Sequence, residues 1–296
     1  MRILVLSRKR SLYSTRRLRE EGAKMGHTVD VADPLKCVLL MSGGEPSILV
    51  GGRPIPKPHA VLPRIGITGT DYSIAVVHHF ELMGVPVVNG HASIARAKNK
   101  LECLQHLACR GIPVPDTLMS RYPRDLDRLM KLLAGPPVIM KLLRGTQGTG
   151  VVFAESKASV ESMLETLWSL GEDILVQRFI AESRGKDIRV LVIDGRVRAA
   201  MRRIGREGEF RSNIHRGGTG EAVKLSRSYE RIALRAAAAA GLQIAGVDIL
   251  ESSSGPMVIE VNASPGFEGL EEATKKNVAR MFLEATVRAA RKGRKR

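Results

Sequence analysis

The run MVIEVNASPG, residues 257–266, reads as an apolar strand that ends at a Ser-Pro-Gly break and carries Glu260 and Asn262 close to its end. Strand side chains alternate between faces, so these two share one. Upstream lies GVDIL, 246–250. A three-residue hairpin loop at Ser253-Ser254-Gly255, with the glycine in the left-handed position, would set Asp248 opposite Glu260. Like charges opposed in a ladder repel unless something positive sits between them. Three converging hard oxygen donors suit Mg2+, which keeps several waters and is commonly shared with substrate phosphates. The competing reading is the solvated face of an edge hairpin.

A phosphate-bearing ligand would need donors of its own. RGTQGTG, 144–150, offers Gly145, Gly148 and Gly150, whose backbone freedom lets N–H groups turn toward a ligand, and the hydroxyls of Thr146 and Thr149. A strand follows this stretch, and no Gly-Lys-Ser/Thr opens a helix, so it is neither a dinucleotide fingerprint nor a Walker loop. It reads as a flap over phosphates or as an ordinary hairpin turn. Lys141 alternates with Ile139 and Leu143 in VIMKLL, where an ammonium is costly unless an anion partners it or it reaches water at an edge. Lys100 lies on a helix with Lys98 nearby. In EFRSNIHRGG, 209–218, Arg211, Asn213, His215 and Arg216 crowd donors ahead of a glycine pair, as suits a segment laid along an anion or an exposed charged loop. KDIRV, 186–190, puts Asp187 and Arg189 on one strand face.

The elements that must hold these groups follow two patterns. The first ninety residues or so alternate strand and helix: strands at 2–7, 28–32, 60–64 and 85–89, helices at 15–25 and 72–83, and a hairpin at 47–55. That alternation predicts a parallel sheet flanked by helices. A helix at about 93–109 leads to GIPVPDT, 111–117, whose prolines mark a boundary between lobes. Beyond it the pattern is α+β. Strands are predicted at 137–143, 151–154 and 173–180, with a helix at 157–170. An antiparallel pair, 186–193 and 196–204, turns at Asp194-Gly195, and strands follow at 243–250 and 257–262. Helices are predicted at 228–240, where an alanine run is closed by Gly241, and at about 270–290.

Composition bounds the rest. The chain has 296 residues, 44% of them hydrophobic, enough for a sizeable core in two or three lobes. No apolar run approaches a membrane span, and the opening apolar stretch is too short for a secretory signal, so a cytoplasmic location without membrane contact is expected. Cys37, Cys103 and Cys109 form no metal-binding spacing and read as reduced packing residues. The formal charge is +17, with eight basic and two acidic residues in 1–24, seven basic and two acidic in 196–216, and a terminal RKGRKR. Such a field attracts polyanions of any kind. Aromatics are only 4% and are not interleaved with the basic runs, which disfavours direct reading of nucleic acid.

Taken in order, Lys100, Lys141 with RGTQGTG, VQRFI, KDIRVLV, FRSNIHRGG, GVDIL and VIEVNASPG resemble the ATP-grasp ligases. FRSNIHRGG together with EVNASPG resembles the RimK group in particular, the ligases that add glutamate to the C-terminus of the sixth small-subunit ribosomal protein. The resemblance covers nearly the whole chain, including LSR and RRLRE near the start and PRIG at 63–66. It implies an ATP-grasp fold behind an N-terminal Rossmann-like pre-ATP-grasp domain. The divisions would be 1–95, a central subdomain 96–180 with the flap, a C-terminal subdomain 181–290 with the metal site, and a basic tail 291–296. It implies that Lys100 and Lys141 contact ATP phosphates and base, and that Gly145, Gly148 and Gly150 close over them. Backbone at Arg178 and Phe179 would hold adenine and Asp187 would contact the nucleotide. Arg211, Ser212 and Asn213 would approach the phosphates, Arg189 and Arg211 would be catalytic, and Asp248, Glu260 and Asn262 would bind two Mg2+ (or Mn2+). The implied partners are L-glutamate and the acidic C-terminus of a ribosomal protein, the chain itself forming a homo-oligomer, either tetramer or dimer, with poly-α-glutamate as a further product. Two positions depart from the family pattern: Arg178 stands where Glu is common, and Lys9-Arg10 where Asp-Gly is common. The alternatives are a RimK-like ligase for the amino-group carrier protein of lysine or arginine biosynthesis, and a non-enzymatic basic module that docks on the ribosome.

Overall fold

The computed structural model describes residues 1–66, 68–120, 126–143, 150–210, 212 and 217–293. Strands β1 (Arg2–Leu6) and β2 (Thr28–Ala32) flank helix α1 (Tyr13–Lys24). An antiparallel meander, β3 (Cys37–Ser42), β4 (Glu45–Val50) and β5 (Arg53–Pro54), precedes β6 (Ala60–Pro63) and helix α2 (Thr70–Leu82). The parallel sheet runs β2-β1-β6. Two expectations change here. The hairpin at 47–55 has a third strand, β3, which sequence reading missed. The predicted strand at 85–89 makes only a single bridge, Val61 to Val87. Its end is diverted because Asn89 turns inward: the buried amide donates to the Ile244 and Ala263 carbonyls at 2.8 Å each, and its oxygen accepts from the backbone N–H of Gln243 and Ile244.

The helix predicted at 93–109 is two helices, α3 (His91–Lys98) and α4 (Lys100–Ala108). Asn99 breaks them, leaving the helical conformation and capping α4 by accepting from the Glu102 N–H at 3.2 Å. The central lobe holds β7 (Thr117–Met119), α5 (Leu126–Leu132), β8 (Val138–Leu142), β9 (Val151–Ala154), α6 (Lys157–Ser169) and β10 (Ile174–Arg178). Its antiparallel sheet is ordered β7-β10-β8-β9. Val138 and Met140 turn into a hydrophobic cluster that this lobe closes by itself, which sends Ile139 and Lys141 to the opposite face.

The last lobe is built on β11 (Lys186–Ile193), β12 (Arg196–Ile204), β13 (Thr219–Ala222), α7 (Arg227–Ala240), β14 (Ile244–Ser252) and β15 (Gly255–Asn262). The order is β13-β12-β11-β14-β15, antiparallel throughout. The alanine run of α7 is buried against it, and Gly241 ends the helix at φ +71°. The predicted terminal helix is again two, α8 (Glu268–Thr274) and α9 (Val278–Gly293), separated at Lys275, whose φ is +57°. α9 packs against the first lobe, with Phe282 and Leu283 meeting Ile3, Val5 and Leu18 in one cluster. Cys37 and Cys103 are buried as expected of packing residues, whereas Cys109 is exposed at the end of α4. Among the described residues, no helix is long and apolar enough to cross a membrane.

Candidate active site

Asp248 pairs with Glu260 in the β14–β15 ladder, as the sequence predicts, but by another route. The turn is shorter than expected, with Ser252 paired to Gly255, and a bulge between Asp248 and Ile249 restores the register. Gly246 pairs with Asn262, and the chain beyond Asn262 folds back so closely that a Cβ on Gly246 would come 2.7 Å from the Pro265 ring. A glycine is therefore required there, and its absence of side chain lets 262–266 close the end of the site.

These groups line a cleft of 560 Å3 between the central sheet and the β11–β15 sheet. Lys98 and Lys100 enter from the α3–α4 break, Lys141 from β8, and Arg178 and Phe179 from the end of β10. Asp187, Arg189, Asp248, Glu260 and Asn262 come from the large sheet, and Ser212 from the segment beyond β12. Gly150 immediately precedes Val151, which lines the cleft. Gly150 has φ +73°, and its carbonyl accepts from the Leu142 N–H at 2.9 Å. Gly145, Gly148, Arg211 and Asn213 lie outside the described residues.

The charge compensation at Asp248 differs from the reading in which an ion alone separates the carboxylates. Arg189 clasps both oxygens of Asp248, with Nη2 donating at 2.7 Å, and Arg203 Nη2 lies 2.9 Å from Oδ2. Arg203 also binds Asp187 through two N–H groups, so Asp187, which is buried, faces a guanidinium across the β11–β12 pair. Burial alone would raise the Asp248 pKa, but Arg189 and then Arg203 outweigh it and hold the carboxyl below its ordinary range. Arg203 was missed in the sequence because it sits in a basic stretch that reads as solvated surface. Its signal was its pairing position opposite Asp187 in the β11–β12 hairpin.

The lysines face the carboxylates. Lys141 Nζ donates to Gln177 Oε1 at 2.6 Å, and Gln177 in turn donates to Thr117 at 2.8 Å. Burial lowers the Lys141 pKa to about 8, with Glu260 opposing the shift. Lys98 and Lys100 are lowered for the same reason, again with Glu260 working the other way. Lys100 Nζ donates to the Leu142 and Leu143 carbonyls at 3.1 and 3.3 Å, tying the helix break to the end of β8. Arg178 is exposed, pairs loosely with Asp116 at 3.5 Å, and donates its backbone N–H to the Asp116 carbonyl at 2.8 Å. Beside it Phe179 meets Phe153 edge-on at 4.8 Å, and Phe153 stacks on Phe210 at 5.5 Å. With Ile139, Met201 and Leu250, Phe179 and Phe210 form an apolar wall suited to a planar ring, next to a charged floor suited to phosphates. The oxygens of Asp248, Glu260 and Asn262 are a hard donor set of the kind Mg2+ takes, with lysines beside it, so these residues fit such an ion.

Residues 97–286 match the family model of the RimK-like ATP-grasp domain, and residues 1–94 that of the RimK PreATP-grasp domain. The chain belongs to the RimK-like ATP-grasp family. It is 48% identical over 284 residues to a probable alpha-L-glutamate ligase of a Marinomonas species, covering 96% of this chain and 94% of that one. A solved RimK domain ATP-grasp protein from Sphaerobacter thermophilus is 26% identical with a TM-score of 0.76, covering 97% of this chain and 100% of that one. The ATP-grasp ligase PsnB, solved with a minimal precursor, Mg and ADP, is 23% identical with a TM-score of 0.75 over 98% of both chains and shows a shared fold. Membership makes this RimK-like chain an ADP-forming carboxylate–amine ligase, and it sets aside the non-enzymatic basic module.

Proposed function

We propose that this ligase adds L-glutamate, through an acyl phosphate, to the C-terminal carboxylate of a protein acceptor, with ATP as the energy source. Lys100, Lys141 and the opposed pair Asp248 and Glu260 converge on one cleft beside an apolar, aromatic wall, which supports this function. The glutamate comes from the curated relative, whose name states it. The sixth small-subunit ribosomal protein is the acceptor proposed, with repeated addition giving poly-α-glutamate. A cytosolic homo-oligomer with lobes at 1–95, 96–180 and 181–290 is the form proposed for it.

In this reading the acceptor carboxylate attacks the γ-phosphate and ADP leaves; the glutamate amine then attacks the acyl phosphate, an amide forms and phosphate leaves. Asp248, Glu260 and Asn262 would hold two Mg2+ (or Mn2+), which when bound neutralise charge on the phosphates. Lys141 and Lys100 place ammonium groups against the phosphate oxygens, and the Gln177 amide aims Lys141. Phe179, Phe210 and the backbone after Arg178 receive adenine. Arg189 is held by Asp248 where developing negative charge is met by a fixed cation. Asp187 acts through Arg203, which it orients. Arg211, Ser212 and Asn213 are proposed for the phosphates, and Gly145, Gly148 and Gly150 for the cover over them. No covalent nucleophile is needed; positioning of this kind is worth about 7–11 kcal/mol of barrier.

The acceptor is tested by mass spectrometry of cell extracts with and without the gene. Glutamate extension of the ribosomal protein that depends on the gene supports this acceptor; extension of an amino-group carrier protein instead would establish the carrier-protein ligase. An acceptor unchanged in both extracts would remove this acceptor.

A further inference from the structure

A second cluster of ligating side chains lies in the first lobe, on helices that take no part in the cleft's carboxylate set. His78 and Glu81 are three residues apart on the last turns of α2 and therefore share a face. His91 is the first residue of α3. One ligand atom from each of the three lies within 4.8 Å of the others. The imidazoles of His78 and His91 are 4.0 Å apart, centroid to centroid. The Glu81 carboxylate divides its work: Oε1 accepts from the His91 backbone N–H at 2.9 Å, and Oε2 faces His91 Nδ1 in a close contact. Gly90 permits this approach, since a Cβ there would come 2.7 Å from Glu81 Oε1.

We propose that His78, Glu81 and His91 form a binding site for a borderline divalent transition ion, of which Zn2+ is the occupant their chemistry selects. Two imidazoles and one carboxylate are a donor set that Zn2+ takes with a water in the fourth position, at about 2.0–2.2 Å from each atom. Donor atoms around a tetrahedral ion are then roughly 3.3 Å apart, which side-chain rotation reaches from the spacing observed. The backbone N–H on Oε1 leaves the second oxygen for the ion and fixes the carboxylate's direction, the role that outer hydrogen bonds play at metal sites. Nitrogen donors distinguish this site from Asp248, Glu260 and Asn262, whose oxygens suit Mg2+. An ion here would clamp α2 to α3, the helix whose far end presents Lys98 to the cleft.

The test uses the full chain carrying Cys109→Ser, which removes the exposed thiol, in excess Mg2+ and ADP so that the cleft is filled. Co2+ is titrated while its visible d–d absorption is followed, and melting is measured with and without Zn2+. The parent should bind one equivalent of Co2+ more than His78→Ala or His91→Ala, with the intense spectrum of a tetrahedral site, and Zn2+ should raise its melting temperature but not theirs. His78→Ala leaves the contact of Glu81 with α3 in place, so it stays informative if His91→Ala fails to fold. Equal stoichiometry in parent and His78→Ala, or an equal Zn2+ shift in both, would overturn the site and leave Glu81 as a cap of α3 only.

Discussion

Asp248 stands opposite Glu260 across the β14–β15 ladder, while two arginines, Arg189 and Arg203, hold Asp248 from the other side. The two carboxylates therefore carry different loads. Asp248 is 2% exposed and is the anchor of a buried ion network. Glu260 is half-buried and faces the lysines. Asp248→Asn should abolish turnover and also destabilise the fold by about 3–5 kcal/mol, because it leaves buried guanidinium charge uncompensated. Glu260→Gln should abolish turnover with little change in stability. Parallel kinetics and urea denaturation separate the two; equal stability losses would show that the carboxylates are structurally equivalent.

Arg203 joins Asp187 to Asp248, and it is itself 7% exposed. Arg203→Met keeps the volume and leaves two buried carboxylates short of a partner. A loss of about 3–5 kcal/mol is expected. Asp187→Asn combined with Arg203→Met should cost less than the sum of the single changes, since the two share one interaction. Additive losses in that cycle would mean that the pair is not coupled.

Lys141 supplies a pH dependence with a definite sign. Burial lowers its pKa to about 8 in the empty cleft, so it is charged below that pH and neutral above it. If it binds phosphate as ammonium, ATP affinity should be constant below about pH 8 and weaken above it, and binding near pH 8–9 should take up a proton. Lys141→Arg stays charged throughout, so its affinity should be flat across the same range. Calorimetry in buffers of different ionisation enthalpy reads the proton directly. A wild-type affinity that does not change between pH 7 and pH 9.5 would contradict the role given to this lysine.

The basic surface concerns the acceptor. Lys9 and Arg10 are exposed at the end of the first strand's loop, in a chain of net charge +17. Long-range recruitment of an acidic tail is screened as the Debye length falls from about 10 Å at 0.1 M salt to about 3 Å at 1 M. Acceptor affinity should fall with salt much more steeply than ATP affinity. Neutralising Lys9 and Arg10 together should flatten the acceptor slope. Indistinguishable slopes for wild type and the double variant would rule out this tract.

Much of this was legible in the chain itself where a period and a turn signal agree. The strands 28–32, 151–154, 186–193 and 196–204 form at the predicted residues because alternation is clean and Asp194-Gly195 marks its turn. Asn99 was not legible as a break, because Lys-Asn-Lys continues a helical pattern and only the capped geometry reveals the stop. Asn89 and Arg203 were not legible either: both are polar groups whose partners are distant in sequence or across a hairpin, and burial there is a tertiary fact. The aromatic cluster was not legible because Phe153, Phe179 and Phe210 lie on three stretches far apart in a chain poor in aromatics. The Asp248–Glu260 pairing was read correctly although the turn was not: the loop is one residue shorter than expected, and the bulge between Asp248 and Ile249 makes up the difference.

The proposed coupling of ATP cleavage to glutamate transfer takes place in one cleft. Its most direct measurement incubates the purified chain with ATP, Mg2+, L-glutamate and a peptide ending in the acidic C-terminus of the proposed acceptor, and follows ADP release and peptide mass together. Multiple-turnover ADP release should require peptide and glutamate together, and the peptide should gain whole glutamate residues in step with it. ADP release with no gain in peptide mass, or a gain that persists in Glu260→Gln, would contradict it.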